Sequence, residues 1–216
     1  MTLSIRETIQ LLKYSFHFVL NLITLFIFFV IGLLFTLLST ETSTLGIAYL
    51  ALGPMMLVQM YICLLYSGIT KSSPKARFLE LQLSDIISGL ICIFEYIFLI
   101  VLSVIGSGIH PENTSIHAFN LIIAGITISN VIIYMSTAYK SFIGSIIFFT
   151  FFIMGIYTGT SMVNVIGFPN ISILSGALFG SLALVAGFFI SFLLKRLFYK
   201  KPLSKLAAGS NLRKYL

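Results

Sequence analysis

The sequence has very little charge for its length. Of its 216 residues, 9% are charged and 58% are hydrophobic. A soluble globular domain carries about 25% charged residues, so this chain has too few polar side chains to cover a surface that faces water. The composition therefore argues against a soluble enzyme, and the net charge of +7 on so apolar a chain does not indicate nucleic-acid binding.

Residues that could form a catalytic or metal centre are also scarce. The three histidines are at positions 17, 110 and 117, and Cys63 and Cys92 both fall within apolar runs. Neither set has the spacing of a metal site or a catalytic triad, and no Gly-x4-Gly-Lys-Ser/Thr motif is present. We therefore expect no enzymatic activity in this chain and no metal or cofactor bound directly to it.

Long apolar segments are what the sequence does contain. A bilayer core needs about 20 apolar residues per helix, and six such runs cover residues 18–38, 47–69, 86–106, 119–138, 142–160 and 172–194. They are apolar on every side rather than alternating, which excludes barrel strands. The sequence predicts an all-α membrane protein whose single transmembrane domain, residues 1–216, has six spans.

The basic residues define the predicted orientation. All thirteen Lys and Arg fall before span one, between spans two and three, between spans four and five, or in the tail at 195–216, and the other three connections have none. The positive-inside rule then places both termini in the cytoplasm. An even number of spans agrees, because it puts the two termini on the same side of the membrane.

The N-terminal residues show two periodic faces. Apolar Ile5, Ile9, Leu12 and Phe16 repeat at helical spacing, while Arg6, Gln10, Lys13 and His17 repeat on another face. This pattern predicts an amphipathic helix over 3–16 that lies along the cytoplasmic membrane surface. The alternative is a plain continuation of span one.

The connection between spans two and three has the features of a short helix. Ser73 is a suitable N-cap with Pro74 at the first helical position, Arg77 and Glu80 lie one turn apart, and Ser84 or Asp85 can cap span three. We expect a helix over about 73–83 whose exposed Phe78 and Leu79 dock into another protein; a simple charged turn at the headgroups is the alternative.

With the six-span layout, two stretches carry a family resemblance: Lys-Ser-Ser-Pro-Lys-Ala-Arg at 71–77 and the basic stretch at 197–205. The chain resembles the permease subunits of ABC-2-type exporters, in which an amphipathic helix precedes span one and the span two to three loop forms a coupling helix. It departs from better-known members in its short external connections.

The resemblance implies a bacterial cell-membrane permease half that exports peptides, lipids or amphipathic drugs. A separate ATP-binding subunit would bind ATP and Mg²⁺ and would contact the coupling residues, which are Ser73, Pro74, Lys75, Arg77, Phe78, Leu79 and Glu80. A second permease, identical or homologous, would complete the transporter. Two alternatives remain: a substrate-capture subunit of an energy-coupling-factor importer, and a small ion-coupled carrier that uses Glu95.

Span six carries a stripe of small residues at spacings of 4, 4, 3, 4 and 4: Ser172, Gly176, Gly180, Ala183, Gly187 and Ser191. Such a stripe permits close helix packing. It fits either another span of the same chain or a dimer seam.

Glu95 is the one charged residue within a predicted span. A charge there costs about 2.5 to 3.5 kcal/mol on insertion scales. Gln59 and Asn130 are predicted at similar depth, so the three could form a polar layer. The sequence fits both a hydrated translocation path lined by Glu95 and a neutral carboxyl that is hydrogen-bonded between helices.

Overall fold

The computed structural model describes residues 18–38, 46–50, 76–167, 170–202 and 204–206, with the single positions 10, 13, 53 and 74. These residues form long helices, which are α1 (Phe18–Leu38), α2 (Ser84–Ile109), α3 (Thr114–Thr137), α4 (Phe142–Ile166) and α5 (Ile173–Phe198). They correspond to predicted spans one, three, four, five and six. No strand occurs within the ranges described.

Five helices of the described chain are long and apolar enough to cross a membrane. The protein is therefore all-helical with the character of a multi-pass membrane protein. Predicted span two, 47–69, lies mostly outside the described residues, although residues 46–50 and Gly53 are helical. The predicted interfacial helix, 3–16, also lies outside them apart from Gln10 and Lys13, both helical.

Helix α3 is the centre of the bundle. Sixteen of its residues are buried, and it packs most extensively against α5, with further contacts to α2 and α4. By contrast, α1 and α4 expose large apolar side chains such as Phe26 and Phe151. In a chain with so few charges, an apolar outer surface of this kind suits contact with lipid.

Short connections join α2, α3, α4 and α5 into an up-and-down arrangement. Residues 110–113 link α2 to α3, residues 138–141 link α3 to α4, and residues 167–172 link α4 to α5. Gly167 has a positive φ of 102°, a conformation that glycine adopts without the steric cost of a Cβ. Because the chain reverses its direction at each of these connections, α3 and α5 run parallel to each other. We call the end that holds residues 76–83, 138–141, 199–202 and 204–206 the basic end.

Small residues determine how closely α3 and α5 approach. A Cβ added at Gly176 would meet the Ala118 carbonyl oxygen, and one added at Gly187 would lie 2.6 Å from the Ser129 Cβ. The Ser129 hydroxyl also donates to the Ala183 carbonyl oxygen at 2.6 Å. Gly176, Gly180, Ala183 and Gly187 therefore face α3 of the same chain, in the arrangement that small-residue stripes allow in membranes.

The segment before α2 is continuous with it. Pro74 lies in a turn, Ala76–Phe78 form one α-helical turn, and Leu79–Leu83 form a π-helix that leads directly into α2. Ser84 and Asp85 thus lie inside an unbroken helical run rather than at the start of a separate span.

Candidate functional site

At the basic end, Lys140 and Glu80 form an ion pair. The Lys140 Nζ lies 2.5 Å from the Glu80 Oε1, and the two side chains are 4% and 21% exposed. Lys140 comes from the α3–α4 connection and Glu80 from the 76–83 segment. The pair is largely removed from solvent, so separating its partners costs more than breaking a surface salt bridge.

Lys140 also holds the chain that follows α5. Its Nζ donates to the carbonyl oxygens of Lys201 at 2.8 Å and Tyr199 at 3.3 Å. A cation is favoured there because the last carbonyls of a helix lack intrahelical partners and carry partial negative charge. The Ser204 N–H adds a bond of 2.9 Å to the Tyr139 carbonyl oxygen. Lys140 thus connects the 76–83 segment, the α3–α4 connection and the residues that follow α5.

The 76–83 segment makes further contacts at this end. The Arg77 guanidinium lies 5.5 Å from the centre of the Tyr199 ring, a distance suited to a cation–π contact. The expectation that Leu79 is exposed is wrong, because its side chain is only 5% exposed. As the segment continues α2 instead of forming a separate surface helix, one of its sides packs into the bundle. Phe78 is partly buried.

Other predicted coupling residues divide between exposed and undescribed positions. Pro74 and Arg77 are exposed at the basic end and accessible to a partner. Ser73 and Lys75 lie outside the described residues.

Glu95 lies in the interior of the bundle. It is 1% exposed and belongs to the side of α2 that also buries Cys92, Tyr96 and Leu99. A Cβ added at Gly53 would lie 3.4 Å from the Glu95 Oε1, so the carboxyl is close to the backbone of predicted span two. Among the described residues, neither carboxyl oxygen has a hydrogen-bond partner.

Asn130 is buried as well but is not joined to Glu95. It is 1% exposed, and within the described chain neither atom of its amide has a hydrogen-bond partner. Nearby on α3, the Thr127 hydroxyl is also buried and unbonded to any described group. Gln59, the third member of the predicted polar layer, lies outside the described residues.

The opposite end of the bundle carries the other polar side chains. The His110 Nδ1 lies 3.0 Å from the Glu112 Oε1, and both side chains are well exposed. His117 packs on α2, since a Cβ at Gly106 would lie 3.2 Å from its Nε2. In the described ranges, no three His, Cys, Asp or Glu side chains come close enough to hold a metal ion.

Sequence reasoning missed the cluster around Lys140. One signal was present, since Lys140 is the sole charged residue in the α3–α4 connection. The Tyr96 hydroxyl, which donates to the Ala177 carbonyl oxygen at 3.2 Å, was missed too because tyrosine is common in apolar spans.

Comparisons of the chain with protein-family models, with curated proteins and with solved structures found no match.

Proposed function

We propose that this chain is the membrane-spanning permease half of an ABC exporter in a bacterial cell membrane. In this proposal both termini and the basic end are cytoplasmic, and predicted span two completes a six-span domain. A separate ATP-binding subunit hydrolyses ATP, and a second permease copy or homologue forms the other half. The cargo is a peptide, a lipid or an amphipathic drug.

The observation that carries the proposal is the attachment of the 76–83 segment at the basic end. It bears an exposed Arg77, leads without a break into α2, and is tied through Glu80 to Lys140. Lys140 in turn binds the carbonyls that follow α5. A force applied to this one surface segment would therefore reach α2, the α3–α4 connection and the end of α5 together.

A transporter needs such a connection because ATP can shift the membrane helices only through contacts that differ between two states. Closure of the ATP-binding subunits would displace the 76–83 segment. The continuous helix would tilt α2, while the ion pair would carry part of the displacement to α3 and α5. Glu95, Asn130 and Gln59 are our proposed polar residues of the translocation path.

Site-specific photo-crosslinking in native membranes tests the proposal. A photoreactive residue replaces exposed Arg77 in one variant and exposed Glu112, at the opposite end, in the matched control. We expect the first variant alone to crosslink to a protein that contains an ATP-binding cassette, as identified by mass spectrometry. If position 77 captures no such protein while the variant reaches the membrane in normal amounts, the proposal is overturned.

A further inference from the structure

The carboxyl of Glu95 is almost completely enclosed by the bundle. Each of its oxygens exposes less than 1 Å² and has no hydrogen-bond partner among the described residues. Both oxygens are therefore shielded from solvent in this conformation. Glu95 could contact a transported molecule only after the surrounding helices separate.

Within the part of the chain that the structure describes, the elements around Glu95 supply no counter-charge at its depth. The α1 sequence has no ionisable side chain, and residues 42–70 contain no Asp, Glu, Lys, Arg or His, their ionisable groups being Tyr49, Tyr61, Cys63 and Tyr66. On α2 itself the neighbours are the Cys92 thiol and the Tyr96 hydroxyl, both normally neutral.

The remaining ionisable groups on the packed helices are either tyrosines, which are normally neutral, or side chains that lie several helical turns from Glu95. Helix α3 contributes His117, which packs on Gly106 and so lies about 16 Å along the α2 axis from Glu95 at 1.5 Å per residue. It also contributes Tyr134, and α4 contributes Tyr157. Helix α5 contributes Lys195 and Arg196 in its last turn. A Cβ at Gly89 of α2 would lie 3.0 Å from the Phe188 ring of α5, so Lys195 lies about 20 Å nearer to the basic end than Glu95 at 1.5 Å per residue.

An isolated carboxylate in these surroundings would be strongly unfavourable, because charge is removed from water with nothing to compensate it. We propose that Glu95 carries an exchangeable proton: the side chain is a neutral acid in this closed conformation and exchanges its proton with water when the seam between α2 and Gly53 opens. The proton is the one cation that needs no space of its own beside the oxygens.

The seam at Gly53 is where exchange would occur. A Cβ at that position would lie 3.4 Å from the Glu95 Oε1 and 3.6 Å from the Leu25 carbonyl oxygen, so the glycine lies between the carboxyl and the backbone of α1. Separation of these three elements would admit water to the carboxyl and allow ionisation. This inference goes beyond the proposed function, since ATP-driven export does not require a proton site.

Infrared spectroscopy of the intact protein in liposomes provides the first test. We expect a carbonyl-stretch band of a protonated carboxylic acid at neutral pH that disappears in Glu95→Gln and shifts when the buffer is changed to D2O. If the two proteins have the same spectrum in this region, Glu95 is ionised and the proposal fails. A band that does not shift in D2O also overturns it, because the proton would not exchange.

Carbodiimide labelling of the unaltered protein provides a test that needs no variant. A protonated carboxyl adds to a carbodiimide to give an O-acylisourea, which rearranges to a stable N-acylurea with no leaving group. With dicyclohexylcarbodiimide, we expect peptide mapping to find the adduct on Glu95 and little on exposed Glu112, and a water-soluble carbodiimide to reverse that preference. Failure of the apolar reagent to modify Glu95 contradicts the proposal.

Discussion

Replacement of Gly180 by alanine is the sharpest test of how the bundle is held together. The added Cβ would meet the Tyr96 hydroxyl and would lie 2.5 Å from the Leu121 carbonyl oxygen. One obstacle is main chain of α3, and the other is a ring that is already bonded to the Ala177 carbonyl oxygen. The substitution must therefore separate α5 from α3 or displace Tyr96.

The expected cost follows from the contacts that are disturbed. Overpacking a close contact costs about 1 to 3 kcal/mol, and an interhelical hydrogen bond of the kind made by Tyr96 is worth about 0.6 kcal/mol in a membrane. Alanine regains up to about 1 kcal/mol through its higher helix propensity. We expect Gly180→Ala to be destabilised by about 2 kcal/mol relative to the unaltered protein.

Gly155→Ala in α4 is the matched control, because a Cβ at Gly155 would meet nothing within 4 Å. It has the same gain in helix propensity without the clash. Thermal unfolding in detergent can be followed with a dye that reacts with the buried Cys92 thiol as the bundle opens. Equal melting temperatures for the two variants would refute the close α3–α5 packing on which the fold rests.

Three further predictions concern single polar groups. Ser129→Ala should lose about 1 kcal/mol in the same unfolding assay, since it removes the bond to the Ala183 carbonyl oxygen; full retention of stability would contradict that bond. Lys140→Met should lose about 2 to 3 kcal/mol because it abolishes the ion pair with Glu80 and the charge-assisted bonds to the Tyr199 and Lys201 carbonyl oxygens. The exchanged pair Glu80→Lys with Lys140→Glu should recover part of the ion-pair energy but not the bonds to the two carbonyls, since a carboxylate has no proton to donate to them. Glu95→Gln should fold with unchanged or slightly higher stability, because a neutral isostere replaces an acid that has no partner among the described residues; marked destabilisation would show that the carboxyl makes a bond essential to the fold.

The helices that cross the bundle could be predicted from the sequence because their signal is a continuous apolar run. The first apolar run covers residues 18–38, and the structure has a helix with the same bounds, Phe18–Leu38. Helices α2 to α5 extend beyond their apolar runs by several residues, for example to Thr114 in α3 and Phe198 in α5. Polar residues at the end of a helix can be helical without raising the hydropathy of the segment. A count of apolar residues therefore does not locate the residue at which such a helix begins or ends.

The backbone path and the ion pair at the basic end could not be predicted from the sequence. Ser84 and Asp85 have the chemistry of N-caps, which favours a break, yet the backbone continues through a π-helical turn. A π-turn changes the direction in which later side chains point, and no residue pattern identifies it. The contact of Lys140 with Glu80 joins residues 60 positions apart, a pairing that charge counts cannot specify.

The interior site was predicted in part. Glu95 could be singled out because a lone acid in an apolar run is rare, and the structure does bury it. Its proximity to Gly53 could not be foreseen, since glycine offers no side chain to pair with an acid. The expected layer with Asn130 rested on depth alone, and depth does not determine which side of a helix a residue occupies.

The side of the membrane on which the 76–83 segment lies decides whether the proposed ATP-binding partner can reach it, because such a partner acts from the cytoplasm. Arg77→Cys and Glu112→Cys, each made in a chain with Cys63 and Cys92 replaced by alanine, can be treated in intact cells with a membrane-impermeant maleimide. We predict that the Glu112→Cys variant is labelled at once and the Arg77→Cys variant only after the membrane is permeabilised. Labelling of the Arg77→Cys variant in intact cells would contradict the proposed transporter.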